Sequence, residues 1–435
     1  MRSLSCTLLL FVALVGKATN AFVSVARAPG ARAAQKLDIP RCLASTADDK
    51  DSDKAKYDHT LAILAMPSTS VDRIVNDAIL VAAVESSNKL SVVLRCEGRD
   101  KPTLASLRRY VGEIYSQLWD CVMEQGENLV DLDVVVYPQN LPNAAPESWI
   151  DIQPDLDCVC SHDALCGWVS EAATGRGTRF QDSRGIGGVE DHVAALNRER
   201  KSRGLNPVDA LPVQLSGPVL EDPSGTVVFL EDDDGLTSNV KYQIDCRDDT
   251  SEVNDEGCGL LSGAIASREH AELYDHVTVG GTFDGLHFGH RKLLTLAVSS
   301  VTPVTGKLLV GVTMDEMLTR KKYAEYIPSL KDRMEAVRKF LHRLAPGITN
   351  RVKLVPIGDA FGPPGQPDSH FDALVLSHET LATGHLLNEH RKSLGLQPLK
   401  LLCTLRTEQY GMSSTALRRK RWNEMQRKAE KNVTK

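Results

Sequence analysis

The tightest constraint on the fold is the stretch Tyr274–Ala297, YDHVTVGGTFDGLHFGHRKLLTLA. It predicts a short buried strand at His276–Val279, a glycine turn, and a helix opened by His287-Phe288-Gly289-His290. Gly280 and Gly281 let backbone amides come close to a ligand, and the helix start adds free N–H groups and a positive dipole end. Two imidazoles three positions apart on that first turn can both point at one phosphate. The chemistry predicted is phosphate handling, with neutral or protonated histidines stabilising charge.

The rest of the chain supplies the frame. Its 435 residues suggest two or three domains, each with ample core. A net charge of −6 argues against a dedicated nucleic-acid binder. The basic run from Arg418, RRKRWNEMQRKAEK, reads as a solvated helix end rather than a polyanion site. Ten scattered cysteines do not make a disulfide framework. Cys158, Cys160, His162 and Cys166 lack a second knuckle for zinc, so buried packing is expected of them.

Residues 1–48 read as a removable presequence. Arg2 precedes an apolar run at Leu8–Val15, too short for a membrane span, and Ala18–Ala21 offers small residues before Phe22. The following segment carries Arg, Ala and Ser, with Asp38 its first acid. The whole resembles the bipartite plastid presequence of algae with secondary plastids, and the expectation is a plastid protein. Secretory and mitochondrial targeting are the alternatives.

From Tyr57 strand-like and helix-like runs alternate, which implies a parallel α/β layer over residues 57–215. No glycine fingerprint follows its strands, so no phosphate site is expected there. Ala173–Asn206, rich in Gly, Arg and Asp, reads as a long loop or lid. Residues 216–270 read as a linker, since Glu221–Glu256 holds about a dozen acidic residues against two basic ones. No internal repeat is expected. Residues 271–425 form the second domain, with strands at Leu308–Val312, Val352–Ile357, Ala373–Leu376 and Leu399–Cys403. Ser329 caps a helix with Leu330, Met334, Val337, Leu341 and Leu344 on one face, and another helix is expected around Leu386–Leu394. The fold class is α/β: a doubly wound, Rossmann-like parallel sheet preceded by a second α/β domain. Its ligand lies beyond the strand carboxyl ends. Lys321 and Lys322 are cations that can reach into that cleft, and Ser413, Ser414 and Thr415 open the final helix, where hydroxyls and amides can hold phosphates.

The string GTFDGLHFGH resembles the HxGH signature of the nucleotidyltransferases. With VPIGDAFGPPG (Val355–Gly365), LVLSHETLATG (Leu374–Gly384), Asn388-Glu389-His390-Arg391 and GMSSTALR, the second domain resembles the eukaryotic-type phosphopantetheine adenylyltransferase found in coenzyme A synthase. The first domain is faintly similar to the region preceding it there. The resemblance implies transfer of an adenylyl group from Mg²⁺-bound ATP to 4′-phosphopantetheine. It implies that Gly281, Thr282 and Phe283 line the substrate site, with Thr282 and its amides orienting the acceptor phosphate. His290 would stabilise the transition state and His287 would bind the ATP phosphates. Lys321 or Lys322 would grip the acceptor and α-phosphates. Ser413, Ser414 and Thr415 would hold the leaving pyrophosphate with Arg418, and Arg391 would lie near the nucleotide. ATP and 4′-phosphopantetheine are the expected partners, with no nucleic acid and no membrane; the residues give no oligomeric state. The sequence holds no GxxxxGK[ST] kinase loop, so an adenylyltransferase alone is expected. A cytidylyltransferase remains the rival, since Arg406-Thr407-Glu408 before GMSST resembles its RTEGIS motif. A nicotinamide mononucleotide adenylyltransferase and a non-catalytic scaffold are the remaining alternatives.

Overall fold

The computed structural model describes residues 57–67, 70–95, 103–125, 132–138, 142–162, 189–213 and 273–404, with short stretches at 219–221, 226–229, 242–243, 258–260 and between 414 and 426. The expected presequence, Cys166 and Ser413 lie outside the described residues. No described helix is long and apolar enough to cross a membrane.

In the first half, β1 (Tyr57–Ala65), α1 (Ser70–Ser86), β2 (Ser87–Arg95), α2 (Leu104–Gln125), β3 (Asp133–Pro138), α3 (Glu147–Asp151), β4 (Cys158–His162), α4 (Val189–Ser202) and β5 (Asp209–Val213) follow in order. The five strands pair in parallel in the order β3-β2-β1-β4-β5. Helix α4 corrects the loop expected at Ala173–Asn206. Val189, Val193 and Leu196 bury one face of it, and Glu190 and Asp191 in its first turn complement its dipole. Cys158 and Cys160 are fully buried in β4.

Strands β6 (Val219–Glu221), β7 (Thr226–Phe229) and β8 (Tyr242–Gln243) pair with one another inside the acidic segment. The next strand, β9 (Cys258–Leu260), joins the second sheet at its edge, beside the last strand. That segment is therefore not linker throughout.

The second half runs β10 (His276–Gly281), α5 (Phe288–Ser299), β11 (Lys307–Thr313), α6 (Leu330–Leu344), β12 (Val352–Ile357), β13 (Ala373–Ser377), α7 (Leu381–Ser393) and β14 (Lys400–Thr404). Its parallel order is β12-β11-β10-β13-β14-β9. Ser329 caps α6 by accepting from the Asp332 amide at 3.3 Å. Helix α7 starts five residues ahead of Leu386, because Gly384 lets it settle on the sheet: a Cβ there would stand 2.5 Å from Leu376 and 3.3 Å from Leu401.

The two halves share one plan, which overturns the expectation of no repeat. Leaving β9 aside, their strand orders are identical, and so are their registers. His59 faces Lys89 and Thr60 faces Cys158 in one sheet; His276 faces Lys307 and Val277 faces Ala373 in the other. The hydrogen bonds repeat as well. Asp157 accepts from the His59 amide at 3.2 Å and its own amide donates to His59 O at 3.0 Å; Asp372 accepts from the His276 amide at 2.8 Å and donates to His276 O at 2.9 Å. Asn197 brackets the Val208 backbone as Asn388 brackets that of Leu399. Arg200 donates to Asn206 O at 2.8 Å and Arg391 to Gln397 O at 2.9 Å. Gly204 and Gly395 both end their helices in the left-handed region, at φ 71° and 75°. The sequences under these bonds, LNRERKSRGLNP from Leu196 and LNEHRKSLGLQP from Leu387, agree at eight of twelve positions.

The halves pack through the α5 side of the second sheet. Every residue from Arg291 to Ser299 is buried, because α5 lies between its own sheet and α2 of the first half. Trp119 meets Phe288 edge-on at 5.9 Å, Arg108 donates to Ser299 Oγ at 3.1 Å, and Asn143 donates to Val298 O at 3.1 Å and Val301 O at 2.8 Å. One apolar cluster runs from Leu61, Ile63 and Val135 to Val279, Val310 and Phe340, so the two cores are continuous.

Candidate active site

The site forms beyond the carboxyl end of β10, where the strand order reverses between β10 and β13. Val277 and Val279 bury the strand, and Gly281 ends it under the Phe283 ring; a Cβ there would meet that ring at 3.2 Å. The chain then turns through three left-handed residues: Phe283 at φ 52°, Gly285 at 67° and Leu286 at 40°. Non-glycine residues hold that region only when surrounding contacts over-determine it. Here three arginines do so. Arg333, 1% exposed, donates to Thr282 O at 2.7 Å and to Pro328 O at 2.9 Å and pairs with Asp315 at 2.5 Å. Arg418 pairs with the buried Asp284 at 2.5 Å. Arg291 donates to Leu286 O at 2.9 Å.

His287 is the N-cap of α5. Its Nδ1 accepts from the Gly289 amide at 3.2 Å, which leaves the ring proton on Nε2, and Nε2 meets Ser414 Oγ at 3.0 Å. The rings of His287 and His290 stack at 3.9 Å with 29° between their planes, and Phe283 leans on His290 at 5.4 Å. Crowding by protein, reinforced by Arg291, lowers the His287 pKa to about 4. Burial, then His287, Lys321 and Arg291, hold His290 well below its ordinary value. Both imidazoles are therefore neutral at pH 7, and Nδ1 of His290 has no hydrogen-bond partner among the described residues.

Lys321 donates to Thr282 Oγ1 at 2.8 Å, which fixes a cation at the end of β10. Partial burial and then Arg418 push its pKa below the ordinary lysine value. Thus Gly281, Thr282, Phe283, His287, His290, Lys321 and Ser414 come together. Arg418 donates to Thr415 Oγ1 at 2.9 Å, so it ties the last helix to Asp284. Lys322 is exposed, with its ammonium 5.4 Å from the Tyr323 ring centre and its carbonyl accepting from Arg418 at 3.0 Å.

Arg391 stands apart from these groups. It is buried and donates to Pro364 O and Ser369 Oγ, both at 2.6 Å, as well as to Gln397 O. Beside it His390 bonds Gly365 O at 3.0 Å and stacks on Phe361. The pair grips the turn after β12, which Asp359 shapes by accepting from the Phe361 amide at 2.9 Å and the Gly362 amide at 2.5 Å. Arg391 thus anchors the fold's own loop, as Arg200 does in the first half.

Sequence reasoning missed Asp284, Arg333 and Arg291 as parts of the site. The available signals were an acid inside a glycine turn and a cation within the apolar stripe of α6, between Leu330 and Val337. Acid stability follows from the same burial. His59, 2% exposed and bonded to Ser91 Oγ at 2.8 Å, also has its pKa lowered to about 4, chiefly by burial. Below pH 6.5 the unfolded chain takes up protons at His59 and His287 that the folded chain refuses until about pH 4. Stability should therefore fall as pH drops through that window, by up to about 1.4 kcal/mol per pH unit for each histidine. A thermal melt series from pH 7 to 5 should decline, with a shallower slope in His59→Gln; a flat wild-type series would contradict this.

A cytidylyltransferase-like family model matches residues 278–420. The chain is similar to a phosphopantetheine adenylyltransferase of Saccharomyces cerevisiae, 31% identical over 192 residues, 40% of this chain and 61% of the yeast protein. The match thus spans less than two thirds of the yeast relative. A phosphopantetheine adenylyltransferase of Methanopyrus kandleri is 35% identical over 126 residues, 29% of this chain and 75% of that protein. One from Thermococcus kodakarensis is 37% identical over 130 residues, 30% of this chain and 73% of that protein.

Proposed function

The chain belongs to the phosphopantetheine adenylyltransferase family of nucleotidyltransferases, and from that premise we propose that it transfers the adenylyl group of ATP to 4′-phosphopantetheine. The products are dephospho-coenzyme A and pyrophosphate. The observation that carries the reading is the stacked, neutral His287–His290 pair on the first turn of α5, between Ser414 on one side and the Lys321–Thr282 contact on the other.

An oxygen of the acceptor phosphate attacks the α-phosphorus as the bond to the bridging oxygen breaks, and that oxygen leaves with pyrophosphate. The acceptor is already anionic, so no strong base is needed. The protein positions the two phosphates in line and offsets charge on the five-coordinate phosphorus. Thr282 and Lys321 hold the acceptor phosphate. His290 donates to the equatorial oxygens, and the bound anion favours a proton on its ring. His287, with Nε2–H already aimed at Ser414, turns that donor to the ATP phosphates. Ser414 and Thr415 receive the leaving pyrophosphate from the helix tied down by Arg418. Mg²⁺ enters with ATP as part of the substrate.

Pyrophosphate release by the full chain, with each NTP against 4′-phosphopantetheine, phosphocholine and phosphoethanolamine, tests the reading. Release is expected with ATP and 4′-phosphopantetheine alone, lost on chelation and restored by Mg²⁺. Release with CTP and a phospho-alcohol would make it a cytidylyltransferase, and silence throughout would make it a scaffold.

A further inference from the structure

We propose that the first half is an emptied copy of the nucleotidyltransferase fold, retained as a platform that positions the HxGH helix through Asp133. The proposal rests on the reading of the site given above.

The emptying can be followed position by position, because the matched registers align His59 with His276. Counting from there, Ile63 and Leu64 stand where the second half has Gly280 and Gly281, and Ser70 and Arg73 stand where it has His287 and His290. Ile63 and Leu64 are 2% and 1% exposed, so side chains fill the place where glycines admit a phosphate. Asn76 donates to Ala65 O at 2.8 Å and accepts from the Ala65 amide at 3.2 Å, closing with protein the strand end that a ligand would use. Arg73 is held by Glu113 at 2.9 Å. Among the described residues this half keeps the fold without the glycine turn and the paired histidines.

What it still offers is a surface. Asp133, at the start of β3, pairs with Arg291 of α5 through one carboxylate oxygen and with Arg343 of α6 through the other. Burial opposes its ionisation, but Arg291 and Arg343 outweigh that and hold its pKa below the usual carboxylate value. Arg291 also donates to Val134 O of the same strand at 2.6 Å, and its guanidinium lies 5.6 Å from the Phe340 ring centre. Its Nε donates to Leu286 O. Leu286 is the left-handed residue immediately before His287, so the path Asp133–Arg291–Leu286 fixes where the cap and its imidazole stand. Asp133 touches no reacting group and is a positioning residue. The other end of α5 is held independently by Asn143, through Val298 O and Val301 O. That contact is a control for interface loss without loss of the path.

The test compares Asp133→Ala, Asp133→Asn and Asn143→Gly with the wild-type full chain. Glycine suits position 143 because Asn143 has φ 63°. Melting temperature, kcat, the KM for ATP and the imidazole ¹⁵N signals of His287 are measured for each. Asp133→Ala should lower kcat about 10-fold or more, since a misplacement near 1 Å can cost up to about 100-fold, while KM stays within about 2-fold. It should also turn the single Nε2–H tautomer pattern of His287 into an averaged one. Asp133→Asn should fall between, and it carries the comparison if the alanine variant does not fold. Asn143→Gly should melt lower yet keep kcat and the His287 signals. Equal kcat loss and unchanged His287 signals in the Asp133 and Asn143 variants at equal melting loss would overturn the proposal. If the wild-type chain turns over no substrate pair, the proposed reaction falls, and the ¹⁵N comparison alone then decides the positioning path.

Discussion

His290→Ala is expected to lower kcat by about 100- to 1,000-fold, the range found for removing one preorganised donor to a developing oxyanion. KM for ATP should move far less, because His287, Ser414 and Lys321 still surround the phosphates. The size of the effect comes from where the ring stands. It stacks on His287, packs against Phe283 and is neutral before substrate arrives, so its ring is held in place ahead of the reaction. His290→Asn keeps a short donor and should lose less. Steady-state kinetics on folded variants decide the matter: a KM rise at unchanged kcat would assign His290 to ground-state binding instead.

The second large effect belongs to Asp284, which touches no expected substrate atom in the proposed mechanism. Asp284 and Arg418 are 2% and 3% exposed at their side chains and form one pair. Asp284→Ala leaves the guanidinium buried without its counter-charge and should cost about 3–5 kcal/mol. The same change frees the last helix, so Ser414 leaves His287 and turnover falls as well. Replacing both partners, Asp284→Ala with Arg418→Met, should recover much of the stability but not the turnover. Chemical denaturation separates the two: if Asp284→Ala unfolds at the wild-type midpoint, the pair is not the tie described.

The sequence made the second half legible wherever periodicity and a cap agree. Helix α6 begins at Leu330 because Ser329 caps it and an apolar stripe follows, and β10 ends at the two glycines. Helix α4 was hidden because glycine and charge in the flanking residues mask a stripe of only three buried apolar residues, Val189, Val193 and Leu196. The duplication was hidden for a different reason. What the halves share is mainly backbone register and a few polar residues that bracket it, such as Asn197 with Asn388 and Arg200 with Arg391; apolar positions only have to remain apolar. Even the twelve-residue stretch from Leu196 gains meaning only when both copies are seen to make the same bonds. The carbonyl contacts of Arg391 had no sequence signal, because a cation near a phosphate site and a cation satisfying carbonyls look alike in sequence. Asp133 had no local signal, since its partners are 158 and 210 residues away.

The most direct measurement is the mass of the product formed by the full chain from ATP, Mg²⁺ and 4′-phosphopantetheine. The account predicts dephospho-coenzyme A and pyrophosphate in equal amounts, with none from the His290→Ala chain on the same timescale. Intact 4′-phosphopantetheine beside a protein that still binds ATP would contradict it.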